Sequence, residues 1–267
     1  GASRPFAFVV LWGLGGGIIN AGLFYNTTMA ATARLVSAQH RARAFTWLTV
    51  LGGLAAPLAF PIAGAMIDAW GWRGAVRGMV VLLVLCAVPA IVFVSGGSAD
   101  DESAPGTGDA HVGFADVASA LRSPDVRRWL VAVAASMMSL VAVQVHHVSA
   151  LEAAGVAAAT TLAAVRGLLS LPGRAAASPF VTRFGTVPVL RGVYLLMALG
   201  TLSLAFAGPL VFVWLFVILT GLSFGAVAPL QGLYATDLYG TNRIGTMMGM
   251  QQVVMSVAAA ALSLIHI

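Results

Sequence analysis

Residues Leu210 to Ala235 read LVFVWLFVILTGLSFGAVAPLQGLYA, 26 consecutive positions without a charged side chain. A helix needs about 20 apolar residues to cross the hydrocarbon core of a bilayer. This stretch has enough, so it reads as a membrane span. The same length rule, carried outward, marks eight candidate spans: residues 6–30, 44–67, 74–95, 129–151, 157–180, 187–207, 210–235 and 245 onward. Turn and charge signals separate them, among them Gln39-His40-Arg41-Ala42-Arg43, Gly71-Trp72-Arg73-Gly74 and Gly240-Thr241-Asn242-Arg243. The 267 residues are 60% apolar and 9% charged, with mean hydropathy +0.95, which excludes a water-soluble globular domain. The expected fold is all-α, a polytopic helical bundle embedded in a lipid bilayer.

All 14 basic residues are Arg, against 9 acids. They are spread singly between apolar runs and form no basic patch, so they speak for membrane orientation and against a nucleic-acid partner. If residues 31–43 face the cytoplasm, that side holds Arg34, Arg41, Arg43, Arg122, Arg127, Arg128, Arg183, Arg191 and Arg243. The opposite side holds only Arg4, Arg73 and Arg77, and Arg166 and Arg174 fall inside a span. Nine against three is the bias of a positive-inside topology. Cys86 is the one cysteine, which removes a disulfide framework or a thiolate metal site.

Residues 96–127 are the one long connection. Its first half is rich in Gly, Ser and Asp, with Asp100, Asp101 and Glu102 together, and reads as a flexible tether. Its second half places Phe114, Val117 and Leu121 at helical spacing, a short helix for the membrane surface, before Ser123-Pro124 opens the next span. At the ends, residue 1 is Gly and a span begins almost at once, so earlier helices are expected to be missing. Residues 262–267, LSLIHI, match the translated adapter of transposase-based sequencing libraries; they read as read-through, and His266 receives no role.

Several of these patterns resemble the major facilitator superfamily of secondary transporters. His40-Arg41-Ala42-Arg43-Ala44 resembles the family's connection between helices four and five, and Asp68-Ala69-Trp70-Gly71-Trp72-Arg73 the turn between five and six in members akin to monocarboxylate porters. Ala120-Leu121-Arg122-Ser123-Pro124 resembles the end of the central loop. Gly173-Arg174 and Ser178-Pro179-Phe180-Val181-Thr182-Arg183-Phe184-Gly185 resemble the approach to helix nine, with Ser178 where Gly is usual and Thr182 where Asp is usual. The resemblance implies two six-helix halves of which this chain carries helices four to eleven. Residues 1–95 would be the last three helices of the first half, 96–127 a cytoplasmic linker, and 128–261 five helices of the second. It also implies residence in a bacterial inner (plasma) membrane with both termini cytoplasmic, in agreement with the arginine count.

An Arg at membrane depth costs several kcal/mol unless it faces a cavity or a partner, so it marks function by default. Arg166 lies about 14 Å into its span at 1.5 Å per residue. Arg174 follows two turns later, and Ser170, Gly173 and Ala177 share a side with them. Such a stripe suits a cavity wall. By the resemblance, a monocarboxylate porter carries an Arg four residues before the loop Gly, the place of Arg174, and an acid one turn earlier, where Ser170 stands. Arg174, Arg166 and Ser170 are therefore candidate substrate ligands, with Tyr25 and Asn26, which interrupt the first span beside Asn20.

His146 and His147, next to Gln144, are candidates for coupling, although adjacent helical residues point about 100° apart. Arg183, in the loop that resembles the eight–nine connection, is a candidate for gating. Gly221-xxx-Gly225 and Gly245-xxx-Gly249 read as helix-packing faces. The expected activity is secondary transport of a small organic anion with a proton, by alternating access and without a cofactor or metal. Export of lipophilic drugs is the alternative within the superfamily. A membrane-embedded enzyme is a remote one, since no span offers a nucleophile with its base.

Overall fold

The computed structural model describes residues 25–95, 114–241 and 243–265. Asn20, Arg4, the acidic tether and His266 lie outside them. Every regular element among the described residues is helical: the protein is an all-α polytopic membrane bundle. The helices are α1 (Tyr25–Leu35), α2 (Ala38–Ser95), α3 (Phe114–Arg122), α4 (Pro124–Ala153), α5 (Ala159–Phe184), α6 (Thr186–Leu204), α7 (Leu210–Tyr239) and α8 (Ile244–Ile265). Among the described residues four stretches, Pro124–Ala153, Thr186–Leu204, Leu210–Tyr239 and Ile244–Leu262, are long and apolar enough to cross a membrane by length and composition.

The chain divides into two compact units, residues 1–15 with 51–109, and residues 16–50 with 110–267. In the first, α2 breaks at Gly71, where φ is 66° and ψ 170°. A side chain would strain that conformation, so the turn foreseen at Gly71-Trp72 is made by one glycine. Beyond it Gly78 lies against Met66 and Trp70. Large apolar side chains of this unit, such as Leu58, Val81 and Leu85, are exposed, as suits a lipid-facing surface.

In the second unit, α1 ends where the Arg41 guanidinium donates to the carbonyls of Ala33 (3.1 Å) and Val36 (3.4 Å). Those groups are among the orphan acceptors that every helix end leaves. Ser123 precedes α4 in extended backbone and Pro124 opens the helix, but the Ser123 hydroxyl makes no cap bond. Asp125 and Arg128 pair at 3.4 Å in the first turn, an exposed contact worth less than about 1 kcal/mol. Gly185, at φ 83°, donates its N–H to the Val181 carbonyl, so α5 stops and α6 begins at the next residue.

Helix α7 is the axis of this unit. Apolar on all sides, it belongs in an interior, and it contributes to three separate cores. With α4, α5 and α6 it encloses Trp129, Val133, Leu190 and Leu230. With α1, α8 and the start of α2 it encloses Met29, Phe45 and Met248. With α4 and α5 it encloses Leu151, Phe216 and Val217. Polar pairs lock neighbouring helices within these cores. Trp129 Nε1 donates to Gln251 Oε1 at 3.0 Å, joining α4 to α8, and the Trp129 ring lies 4.6 Å from that of Tyr234. Gln231 Nε2 donates to the Tyr194 hydroxyl at 3.0 Å and to Ser136 at 3.3 Å.

The two Gly-xxx-Gly patterns separate in the structure. A Cβ on Gly225 would collide with the carbonyl of Ser170, and one on Gly173 with that of Leu222. A Cβ on Gly221 would come within 2.8 Å of the Arg166 carbonyl. Backbone meets backbone here, so α5 and α7 cross as closely as small residues allow. The second pattern makes no such close crossing among the described residues: a Cβ on Gly249 meets none of them within 4 Å, and one on Gly245 only Arg34, at 3.6 Å.

Candidate substrate site

The buried face of α5 is Ala159, Leu162, Arg166, Ser170, Gly173, Arg174 and Ala177. The polar and small-residue stripe read from the sequence is therefore turned inward. The helix carries Pro172 and Pro179 in its interior; each lacks the N–H that would bond four residues back, which loosens the helix around the stripe.

Arg166 is 6% exposed. Its Nε donates to Thr220 Oγ1 at 2.9 Å and its Nη1 to Gln144 Oε1 at 3.1 Å. The guanidinium carbon lies 5.8 Å from the Phe216 ring centroid and 5.6 Å from that of Phe224, in the range of cation–π attraction. His147 meets Phe216 from α4, with ring centroids 6.2 Å apart. It is buried, and its Nδ1 lies 2.8 Å from the Val143 carbonyl, so a neutral ring donates there and leaves Nε2 as acceptor. His146 is exposed. The two histidines face different ways, and His147 shares the Phe216 ring with the arginine.

Around Arg166, Ser139, Thr201, Thr220 and Phe224 line a cavity of about 10 Å³, room for about one water. The larger cavity, about 510 Å³, is an apolar groove between α5, α6 and α7 that contains neither arginine. Chemistry and volume thus separate: the polar cluster is closed, and the open space is apolar.

Arg174 is 7% exposed, so it does not reach out toward headgroups. Its Nη1 donates to the Thr49 carbonyl at 2.7 Å and to the Tyr25 hydroxyl at 3.0 Å. Its buried Nε has no hydrogen-bond partner among the described residues. Arg166 and Arg174 are about 12 Å apart along α5 and hold different partners; the structure does not bring them into one site. Ser170 sits between them at the α5–α7 crossing, buried and in contact rather than on a cavity wall. Tyr25 is half-buried at Arg174, while the side chain of Asn26 lies outside the described residues. Arg183 is exposed at the end of α5, 5.3 Å from the ring of Phe184, away from both clusters.

Neither buried arginine has a carboxylate within 4.0 Å among the described residues, where the one ion pair is Arg128–Asp125. Sequence reasoning missed Thr220, Phe216 and Phe224 as partners of Arg166. It also missed the Thr49 carbonyl, a backbone atom that no residue identity signals. Gln144 stood out only as a neighbour of the histidines.

The model of the Major Facilitator Superfamily matches residues 2–263. The chain belongs to the major facilitator superfamily. No curated protein and no solved structure matches it. Superfamily members are membrane transporters of small molecules, not enzymes, and this chain is an integral membrane protein of that kind.

Proposed function

We propose that this superfamily member moves a small organic anion, of the monocarboxylate class, together with a proton. The observation that carries the reading is the pair of arginines buried on one helix with no counter-ion among the described residues. An unpaired buried guanidinium is expensive, and an anionic substrate supplies what is missing. A planar fork of donors also matches a carboxylate in two-point geometry.

On this reading residues 1–95 belong to one half of the transporter, 96–127 link the halves on the cytoplasmic side, and 128–261 belong to the other. The bonds from Arg174 to Tyr25 and Thr49 then run between the halves. A carboxylate reaching Arg174 would compete for its donors, and the unpartnered Nε is already free to receive it. The cavity at Arg166 is too small for such a substrate, as expected when alternating access has that part of the path closed. His147 shares Phe216 with Arg166, so a proton on its ring and an anion on the guanidinium would offset one another's charge. That compensation is the physical basis for taking up both together.

The test is uptake of radiolabelled short carboxylates into proteoliposomes with and without an inward proton gradient. Saturable uptake, raised several-fold by the gradient in the parent and insensitive to it in His147→Gln, is the expected result. No uptake of any carboxylate by folded protein would transfer the weight to export of lipophilic neutral or cationic compounds.

A further inference from the structure

The groove between α5, α6 and α7 takes no part in the reading above. It is about 510 Å³ in volume and is lined by Ala177, Phe180 and Phe184 of α5, Pro188 and Gly192 of α6, and Ala226 of α7, among others. Its one hydroxyl, Ser223, is turned onto the Leu219 carbonyl, so the walls offer a ligand almost nothing but hydrocarbon. On α5 the lining runs from Gly173 to Phe184, eleven helical steps or about 16 Å at the helical rise. That is about half of a hydrocarbon core some 30 Å thick, one leaflet. Phe180 and Phe184, each 53% exposed, flank the opening.

The end of the groove at Phe184 has the opposite character. Arg183 is exposed, its guanidinium carbon 5.3 Å from the Phe184 ring, and no carboxylate pairs with it among the described residues. The turn at Gly185 starts α6 there, with no side-chain cap and no acid in the first turn. The amides of Thr186 and Val187 therefore remain as donors at the positive end of a 19-residue helix. A hydrocarbon slot one leaflet long, with an arginine and a bare helix N-terminus at its mouth, fits a molecule with a long chain and an anionic head.

We propose that this groove is a binding site for an anionic phospholipid, one acyl chain lying along Ala177, Phe180 and Gly192 and the phosphate meeting Arg183 and the first amides of α6. The site depends only on the chain being in a membrane, not on which solute it moves.

The experiment is native mass spectrometry of the full-length, delipidated protein. It is titrated with dioleoyl phosphatidylglycerol or with dioleoyl phosphatidylcholine, which has the same chains and a zwitterionic head. One retained lipid per chain is expected, with phosphatidylglycerol favoured about fivefold, the scale of one arginine near an anionic headgroup. Arg183→Gln should keep the lipid and lose the preference. Gly192→Leu should lose both lipids, because a Cβ at Gly192 meets nothing within 4 Å and a larger side chain grows into the groove. The same open space, and the better helix propensity of Leu, keep this variant folded. Its melting temperature without lipid should equal the parent's, whereas phosphatidylglycerol should raise only the parent's. Equal retention of the two lipids, or a preference that survives Arg183→Gln, would overturn the headgroup assignment. Retention unchanged in Gly192→Leu would overturn the groove, as would a lipid-free protein whose groove is covered by a second copy or by another stretch of its own chain.

Discussion

Replacing Arg174 by Met should abolish carboxylate uptake in proteoliposomes while leaving a folded, monodisperse protein. Methionine fills a similar volume and removes the charge together with the need to satisfy it, so a buried apolar side chain replaces a costly cation. The loss falls on the substrate. Truncating one partner of a buried, hydrogen-bonded charge pair costs about 2–5 kcal/mol, so uptake below saturation should drop about 30-fold or more. Arg174→Lys separates charge from geometry: an ammonium keeps the charge but cannot bond the Tyr25 hydroxyl, the Thr49 carbonyl and a carboxylate with one planar fork. It should retain measurable uptake with a raised KM. Uptake by the Met variant at the parent's rate would show that Arg174 only ties helices together, and the anion reading would go with it.

The second large effect is on folding. Gly225→Val should leave little or no folded protein in detergent, because its Cβ would occupy the position of the Ser170 carbonyl. Backbone cannot yield as a side-chain tip can, so α5 and α7 would have to separate along the crossing that also carries Gly173 and Gly221. Overpacking by a single side chain typically costs 1–3 kcal/mol; displacing one helix from another lies at or beyond the upper end. Gly249→Ala is the matched control: no described residue lies within 4 Å of its Cβ, and alanine is favoured over glycine within a helix by about 1 kcal/mol. It should melt at or slightly above the parent. Equal melting temperatures for Gly225→Val and the parent would mean that the two helices do not cross as described.

That pair also marks what the sequence could say. Both glycine patterns have the same spacing in equally apolar helices, and the spacing alone makes each a packing face. What separates them is the partner, the backbone of α5 at Ser170 in one case and no helix backbone among the described residues in the other, and a partner 50 or more residues away leaves no trace in a local pattern. Four of the eight expected spans, those at Pro124–Ala153, Thr186–Leu204, Leu210–Tyr239 and Ile244–Leu262, were legible because length and apolarity are intrinsic to a segment. The turn at Gly71 was legible as well, though not that a single residue would make it.

The stripe on α5 was readable from helical periodicity, and both arginines lie on the buried face as the spacing required. Their separation was not readable, because periodicity gives a side of the helix and not the neighbour across from it. Tyr25 stood out as a polar residue in a span, and it lies at Arg174 across 149 positions of sequence. The adjacent histidines were legible in a negative sense, since two neighbours on a helix cannot share a direction. The one that turns inward, His147, meets Phe216 on another helix, a neighbour the local pattern does not reveal.

The bond between Trp129 and Gln251 gives the protein an optical reporter of its own. Trp129 is 4% exposed, whereas Trp47, Trp70, Trp72 and Trp214 are 40–62% exposed. With the other tryptophans replaced by phenylalanine, the remaining indole should emit in the blue while α4 and α8 stay together. Its emission should move to the red when water reaches the seam. Substrate-driven rearrangement of these helices would then be visible in unlabelled protein as a change of colour.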